Sequence, residues 1–266
     1  MSDAEWELIG PLLPPERGRW ARPAGDNRRF LNGMLHVLRV GCPWRDMHER
    51  YGKWNSVYVR FRRWAEQGVW DALLQTLVDL GLTDDWQHMT DSTSVRGHVS
   101  AAGGKGGLVR TLLVDHAAAL RAKSQMRFGP DAEAKLCKAH YQGLPIGFIL
   151  TGGGASDYTA AEPLMGLPLP KPKALLADKG YDGDRFRESL LIRGILPIIP
   201  PRSNRKVPEH PDYRRYRDRN RVERMFGKLK QQRRIATRYD KTTLSFESFL
   251  NLAAARLWLK SYVNTA

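Results

Sequence analysis

The chain has 266 residues, 42% apolar and 27% charged, enough to bury the core of one large domain or of a small and a medium one. Its 43 Lys and Arg against 28 Asp and Glu leave a net charge of +15, which calls for a polyanionic partner. A membrane is the poorer candidate for that partner: no window of about 18 uninterrupted apolar residues exists, and Met1-Ser-Asp-Ala-Glu-Trp6 is acidic rather than a basic targeting segment.

The expectation is therefore a cytoplasmic protein. Cys42 and Cys137 fit neither a disulfide framework nor a Cys-x-x-Cys metal site, in keeping with a reducing compartment. The histidines show no paired zinc-ligand spacing, so any metal is a hard one held by carboxylates.

In chain order, Asp3 to Leu13 reads as a short helix closed by Pro14-Pro15, followed by a basic linker from Glu16 to Gly25. Asp26 or Asn27 caps a helix through Val40, with Phe30, Met34, Val37 and Leu38 as its buried stripe and Gly41-Cys-Pro43 as its stop. A short helix over Trp44 to Arg50, a turn at Tyr51-Gly52 and a helix over Val57 to Glu66, capped by Asn55 or Ser56, have the proportions of a helix-turn-helix. Val57, Phe61 and Trp64 point inward; Arg60, Arg62 and Arg63 flank or face outward, with Lys53 and Asn55 at the N-terminal end. That arrangement suits a helix in a major groove; it equally suits a helical bundle with a solvated basic face. A further helix, Val69 to Leu80, packs behind.

From about Trp86 the pattern changes. His88 to Val95 has strand character, Pro145 to Thr151 is a clearer strand, and Tyr158 to Met165 begins a helix. Lys173 to Asp178 reads as a strand buried on both faces, Asp184 to Arg193 as helix and Ile195 to Ile199 as another buried strand. Together these imply a mixed α/β sheet with flanking helices, and a division into residues 1–84 and 85–266. Asp91 interrupts a strand, where Asp is disfavoured, and Asp178 ends one, where α/β sites lie. Each has an ordinary alternative, a capping turn at Asp91 and an Asx-turn at Asp178.

The last third is dominated by a helix from Asp212 to Lys230. At about 100° per residue it projects Tyr216, Arg219, Glu223 and Lys230 from one face, beside an apolar stripe of Val222, Met225, Phe226 and Leu229. Phe249 to Val263, broken by Asn251, Arg256 and Lys260, reads as an amphipathic helix. Residues 202–241 carry 15 Lys and Arg against 5 Asp and Glu. Such a concentration suits a cleft for duplex DNA, although a basic, solvated helix whose Glu pairs with neighbouring Arg has the same composition.

Taken together, these motifs resemble the DDE transposases of bacterial insertion sequences, in the group named after insertion sequence five. The carriers are Tyr216, Arg219, Glu223 and Lys230 at spacings of three, four and seven; Leu175-Leu-Ala-Asp-Lys-Gly-Tyr-Asp182; Thr90-Asp-Ser-Thr93; Ile198 to Lys206; and Arg233 to Lys241. In the first third they are Asp26 to Asn32, Gly41 to Arg45 and Arg50 to Asn55. The resemblance implies a ribonuclease-H-like catalytic domain after a helix-turn-helix domain, with Asp91, Asp178 and Glu223 as catalytic, metal-holding carboxylates. It implies two Mg²⁺ ions, with Mn²⁺ as a substitute, about 3.5–4 Å apart. It also implies Arg219 and Lys230 on phosphates, Tyr216 stacking or hydrogen-bonding at the strand end, and a nucleoid-associated homodimer on duplex DNA. The implied activity is binding of terminal inverted repeats, metal-dependent cleavage and transfer into target DNA. A catalytically impaired, end-binding derivative and a host nuclease of the same fold are the rivals.

Between Gly106 and Gly143 the chain departs from that family, which carries there a Gly-rich basic strand ending Lys-Ile-His. Ala117 to Gln125 and Asp131 to His140 instead favour helix. The expectation is an out-of-frame stretch that leaves the sheet's middle strand absent or improvised and Asp91 poorly supported. Translation of the encoding DNA in its two shifted frames is expected to recover the missing strand; its absence from both frames rejects the frameshift.

Overall fold

The computed structural model describes residues 1–15, 26–81, 87–101, 138–140, 142–151, 157–169 and 171–265. Four helices open it: α1 (Asp3–Ile9), α2 (Asn27–Val40), α3 (Trp54–Glu66) and α4 (Val69–Gly81). Helix α1 has a reciprocal capping box between Ser2 and Glu5, and 3₁₀ turn Gly10–Leu12 completes the expected segment. Asp26 caps α2 through the Arg29 N–H at 3.0 Å. Gly41, at φ 72°, ends α2 in a left-handed turn and lies close under Arg233, where a Cβ would come within 3.0 Å of the Arg233 Cβ.

Three expectations for this part are corrected. Trp44 to Arg50 is not one short helix but two 3₁₀ turns, Trp44–Asp46 and Glu49–Tyr51. Pro43 and the aromatic packing of Trp44 on Tyr58 and Phe61 favour such tight turns over a regular helix. Helix α3 begins at Trp54, with Lys53 at its cap position and no side-chain cap from Asn55 or Ser56. In α2 Met34, Val37 and Leu38 are buried as expected, but the fourth place is taken by Leu31, while Phe30 is half-buried beneath Arg60.

The sheet contains β1 (Gln87–Thr90), β3 (Lys138–His140), β4 (Pro145–Gly147), β5 (Ala174–Leu176) and β6 (Leu196–Ile198), in the spatial order β4-β3-β1-β5-β6. β3 pairs antiparallel with β1 on one side and β4 on the other, and β5 and β6 continue parallel to β1. β6 lies at the sheet's edge, so Leu196 is exposed and the strand is not buried along its length as expected. The middle strand of the antiparallel edge is thus present. Lys138–His140 pairs with Thr90–His88, although propensity favours helix there. Being short, it is held by the two ladders on either side rather than by its own residues. The helical expectations for 117–125 and 131–137 lie outside the described residues.

β1 ends at Thr90, so Asp91 follows the strand instead of interrupting it, and Asp178 lies two residues beyond β5. Helices α5 (Asp157–Met165) and α6 (Asp184–Ile192) follow their expected places. From Tyr213 to Lys230 the chain is helical as α7 (Tyr213–Tyr216), a 3₁₀ turn at Arg217–Arg219 and α8 (Asn220–Lys230). After α9 (Arg233–Ala236), the short strand β7 (Thr237–Arg238) pairs in parallel with β2 (Arg96–Gly97).

The last helix, α10 (Thr243–Thr265), departs from its amphipathic expectation. Phe249 to Ala255 are buried without a break, including Asn251, because α10 lies between the four opening helices and the sheet rather than on the surface. Its ring of Phe249 stacks on Phe61 of α3 at 4.3 Å, Asn251 donates to the Asp71 carboxylate at 3.1 Å, and Trp258 donates to the Pro145 carbonyl at 2.7 Å. Residues before and after position 85 therefore share one apolar core. No helix among the described residues is long and apolar enough to cross a membrane.

Arg234 joins the two parts through polar contacts. It is buried, pairs with both oxygens of buried Asp240 at 3.1 and 3.0 Å, donates to the Cys42 carbonyl at 3.2 Å and lies 4.6 Å over the Phe249 ring. Removing one member strands the other's charge in the core. Arg234→Ala is expected to cost about 3–5 kcal/mol of stability in denaturant unfolding, and Asp240→Ala a similar amount.

Candidate active site

Three acidic residues far apart in the chain meet at the carboxyl ends of β1 and β5. Asp91 is placed by the end of β1, and its Oδ1 accepts the Ser92 N–H at 2.9 Å. Asp178 is placed by the turn after β5; its Oδ1 accepts the Gly180 N–H at 2.8 Å, so the Asx-turn expected as an ordinary alternative is what fixes its orientation. Gly180 approaches so closely that a Cβ there would lie 2.9 Å from the same oxygen. Glu223 stands on the exposed side of α8, in its first turn, while Val222, Met225, Phe226 and Leu229 anchor the helix in the core.

Arg219 links them. Its guanidinium donates through Nη1 to Asp91 Oδ2 at 2.7 Å and through Nη2 to Glu223 Oε1 at 2.5 Å, across 128 residues of chain in the first case. Its Cζ lies 5.8 Å from the Tyr216 ring centroid. The Asp91 side chain is only 13% exposed and that of Arg219 18%, so both interact in a partly dry environment.

The electrostatics report the same convergence. Burial pushes the Asp91 carboxyl above its ordinary pKa; Arg219 and the Ser92 N–H offset this in part, and Asp178 and Glu223 push it up further. Burial likewise raises the Tyr216 phenol, with Asp178 and Asp91 adding to the shift and Arg219 opposing it. For Arg219, burial works against the charge but is outweighed by Asp91, Tyr216, Glu223 and Asp178, so its pKa rises. Among the described residues no three His, Cys, Asp or Glu side chains are placed so that they could hold a metal ion. The guanidinium bridges two of the carboxylates instead.

The other expected site residues divide. Lys230 is exposed at the end of α8, about two turns from Glu223. Lys53 and Asn55 are exposed at the start of α3, and Arg62 and Arg63 along it, Arg62 paired with Glu66 at 2.7 Å. Arg60 does not face outward. It is half-buried, donates to Asn27 Oδ1 at 2.8 Å and lies over Phe30 and Trp64, because its place on α3 is opposite α2. Among the 15 cations of residues 202–241, Arg234 and Arg238 are buried and serve the core.

A second polar cluster supports the turn after Asp178 and was not read from the sequence. Asp182 is buried; its Oδ1 accepts Arg187 Nε at 2.7 Å and Arg205 Nη1 at 2.9 Å, and its Oδ2 accepts the Arg202 backbone N–H at 2.7 Å. Arg202 in turn donates to the carbonyls of Lys179 at 3.1 Å and Gly180 at 2.6 Å. The segment after β6 is thereby fastened to the turn that holds Asp178. The available signal was the pairing of a second turn aspartate with the Arg202-Ser-Asn-Arg205 run.

Comparison with known proteins supplies the family. Residues 1–74 match the family model described as "Putative transposase of IS4/5 family", and residues 175–260 the one described as "Transposase DDE domain". The chain is 36% identical over 122 residues to a Brucella ovis protein named "Putative transposase for insertion sequence element IS6501", a match covering 44% of this chain and 91% of that protein. The chain belongs to the insertion-sequence transposases of the IS4/5 family. A Sinorhizobium fredii protein named "Uncharacterized protein y4sN" is 40% identical over 108 residues, covering 40% of this transposase and 82% of the relative. A Burkholderia cepacia protein named "Putative transposase for insertion sequence element IS402" is 33% identical over 120 residues, 41% of this chain and 54% of that one. No solved structure matches. Asp178 and Glu223 fall within the matched DDE segment of the transposase; Asp91 lies outside both matched segments.

The Asp182 cluster makes a pH prediction. Burial raises the Asp182 pKa, but the Arg202 N–H, Arg187 and Arg205 outweigh it and hold the carboxyl below its ordinary value. A depressed folded-state pKa gives stability that is complete above the unfolded value, about 3.9, and is lost as pH falls through the folded value. Asp182→Asn is expected to cost about 3 kcal/mol near neutral pH. Denaturant titrations at stepped pH should show the gap to wild type shrinking only below about pH 4.

Proposed function

We propose that this transposase binds the terminal inverted repeats of an insertion sequence and performs divalent-metal-dependent DNA cleavage and strand transfer, with Asp91, Asp178 and Glu223 holding the metal. The observation that carries the reading is the meeting of these three carboxylates around Arg219, from two strand ends and a helix. Three antiparallel strands continued by two parallel ones support a ribonuclease-H-like domain over residues 85–266, after a DNA-binding unit over residues 1–84.

The chemistry of the residues suits a hard divalent cation, although their side chains are not gathered into a metal-holding group while Arg219 lies between two of them. The donors are all carboxylate oxygens, and Asp91 is left short of positive charge by burial and two like-charged neighbours. Mg²⁺ is the expected ion, two per site, with Mn²⁺ as a substitute. When bound, such ions supply Lewis-acid activation of water or a 3′-hydroxyl and neutralise the departing oxygen. Asp91, central to the set, would be shared, with Asp178 and Glu223 at either side. The Gly180 N–H leaves Asp178 pointing in one direction before any ligand arrives, which limits reorganisation.

The exposed cations of α7 and α8, among them Arg214, Arg215, Arg224, Lys228 and Lys230, offer phosphate contacts beside the carboxylates. Tyr216 offers a half-buried ring for stacking at the strand end. Lys53, Asn55, Arg62 and Arg63 would face the groove of an inverted repeat, and Arg60 would act indirectly by fixing α3 on α2. Synapsis of two ends calls for a homodimer on DNA in the bacterial nucleoid.

An end-binding derivative without catalysis is the second reading, favoured by the departure of residues 106–143 from the family pattern. One assay separates them. Wild type should transfer end-containing DNA in Mg²⁺ or Mn²⁺, and Asp178→Ala should lose at least about 1000-fold of that rate while retaining end binding in gel shift. Wild-type end binding without transfer selects the second reading, and cleavage indifferent to inverted repeats selects a nuclease.

A further inference from the structure

Arg219 stands where a cation is needed. Its two terminal nitrogens serve two different carboxylates, Asp91 at 2.7 Å and Glu223 at 2.5 Å, so its planar fork bridges acids that otherwise repel. The residue closes a 3₁₀ turn, Arg217–Arg219, set between two α-helical pieces, and its guanidinium lies beside the Tyr216 ring. A tight turn at that point brings Arg219 over the strand ends while α8 stays anchored by its apolar stripe.

We propose that Arg219 is a resident counter-ion: it keeps Asp91 and Glu223 facing each other in the metal-free protein and must release both when a divalent cation binds. The proposal rests on the reading of Asp91, Asp178 and Glu223 as metal ligands. A carboxylate oxygen donating its lone pair to a metal at close range has little left for a guanidinium on the same side, so the two cations compete. The released guanidinium, still charged and next to the Tyr216 ring, becomes available to a DNA phosphate at the same strand ends. Metal loading and phosphate capture are then coupled through one side chain, and the exposed cations of α7 and α8 are not needed for the first step. Lysine cannot replace it, since one ammonium reaches one carboxylate well but lacks the fork that spans two.

The test is metal binding by the full-length, DNA-free protein, titrated with Mn²⁺ alone and followed by electron paramagnetic resonance of the free ion. Arg219→Gln is expected to bind Mn²⁺ about tenfold more tightly than wild type, because the competing charge is gone. Arg219→Lys should fall between them, at about threefold, and serves if the Gln variant does not fold. Asp178→Asn should bind weakly or not at all. Equal or weaker Mn²⁺ binding in the folded Arg219 variants, with wild type binding and Asp178→Asn impaired, overturns the counter-ion role and leaves the ligand assignment standing. No Mn²⁺ binding in wild type or either Arg219 variant, or binding unchanged in Asp178→Asn, overturns the ligand assignment and the counter-ion role with it.

Discussion

Three carboxylates gathered from positions 91, 178 and 223 repel one another, and the surrounding structure is arranged to make that gathering tolerable. Asp91 carries most of the strain, since it is buried at the end of β1 and its ionised form is disfavoured by burial and by its two neighbours. The compensation is local: one guanidinium, one backbone N–H at Ser92 and, for Asp178, one at Gly180. Each donor belongs to the segment that also carries a carboxylate. Sequence neighbours orient Asp178 and one oxygen of Asp91, Arg219 orients the other Asp91 oxygen from 128 residues away, and the sheet and α8 do the bringing together.

Around that centre the protein separates two uses of arginine. Arg187, Arg205, Arg234 and Arg238 are spent inside, where each bonds a carboxylate or a carbonyl. The exposed arginines of α7 and α8 are left toward solvent. Not every cation behind the net charge of +15 is thus within reach of a polyanion. The internal arginines give shape: Asp182 with Arg187, Arg202 and Arg205 fastens the segment beyond β6 to the turn of Asp178, and Arg234 with Asp240 fastens α9 to the turn after α2.

What could be read from the sequence followed the strength of its local signals. The helix carrying Tyr216, Arg219 and Glu223 was legible because its apolar stripe recurs at helical spacing, and the strand before Asp178 because Ala-Leu-Leu-Ala is apolar on both faces. The helix from Phe249 was misread as amphipathic, since Asn251 and Arg256 looked like a polar face. A buried Asn bonded to Asp71 from another helix leaves no local trace that separates it from an exposed one. Which of its two expected places Arg60 takes, flank or outward face, is equally hidden in the sequence: arginine's long stem allows it to cover Phe30 and Trp64 while its head finds Asn27. Asp182 gives no local signal because its partners lie 5 to 23 residues away along the chain.

The strand at Lys138–His140 shows why propensity failed in the segment that departs from the family. A central strand is held through its backbone by two neighbours, and here β1 and β4 present ladders on both sides. Whatever short run of residues occupies the gap gains those hydrogen bonds, provided its inward side chain is tolerable, and buried Ala139 makes the smallest demand. The register shift between Lys138 and Ala139 is the mark of a strand fitted to its neighbours and not to an ideal pattern. Because β1 pairs with β5 independently on its other edge, Asp91 keeps its place even when the antiparallel edge is made from unusual sequence. The parallel half of the sheet, with α8 packed by its apolar stripe, is therefore what determines whether the three carboxylates meet.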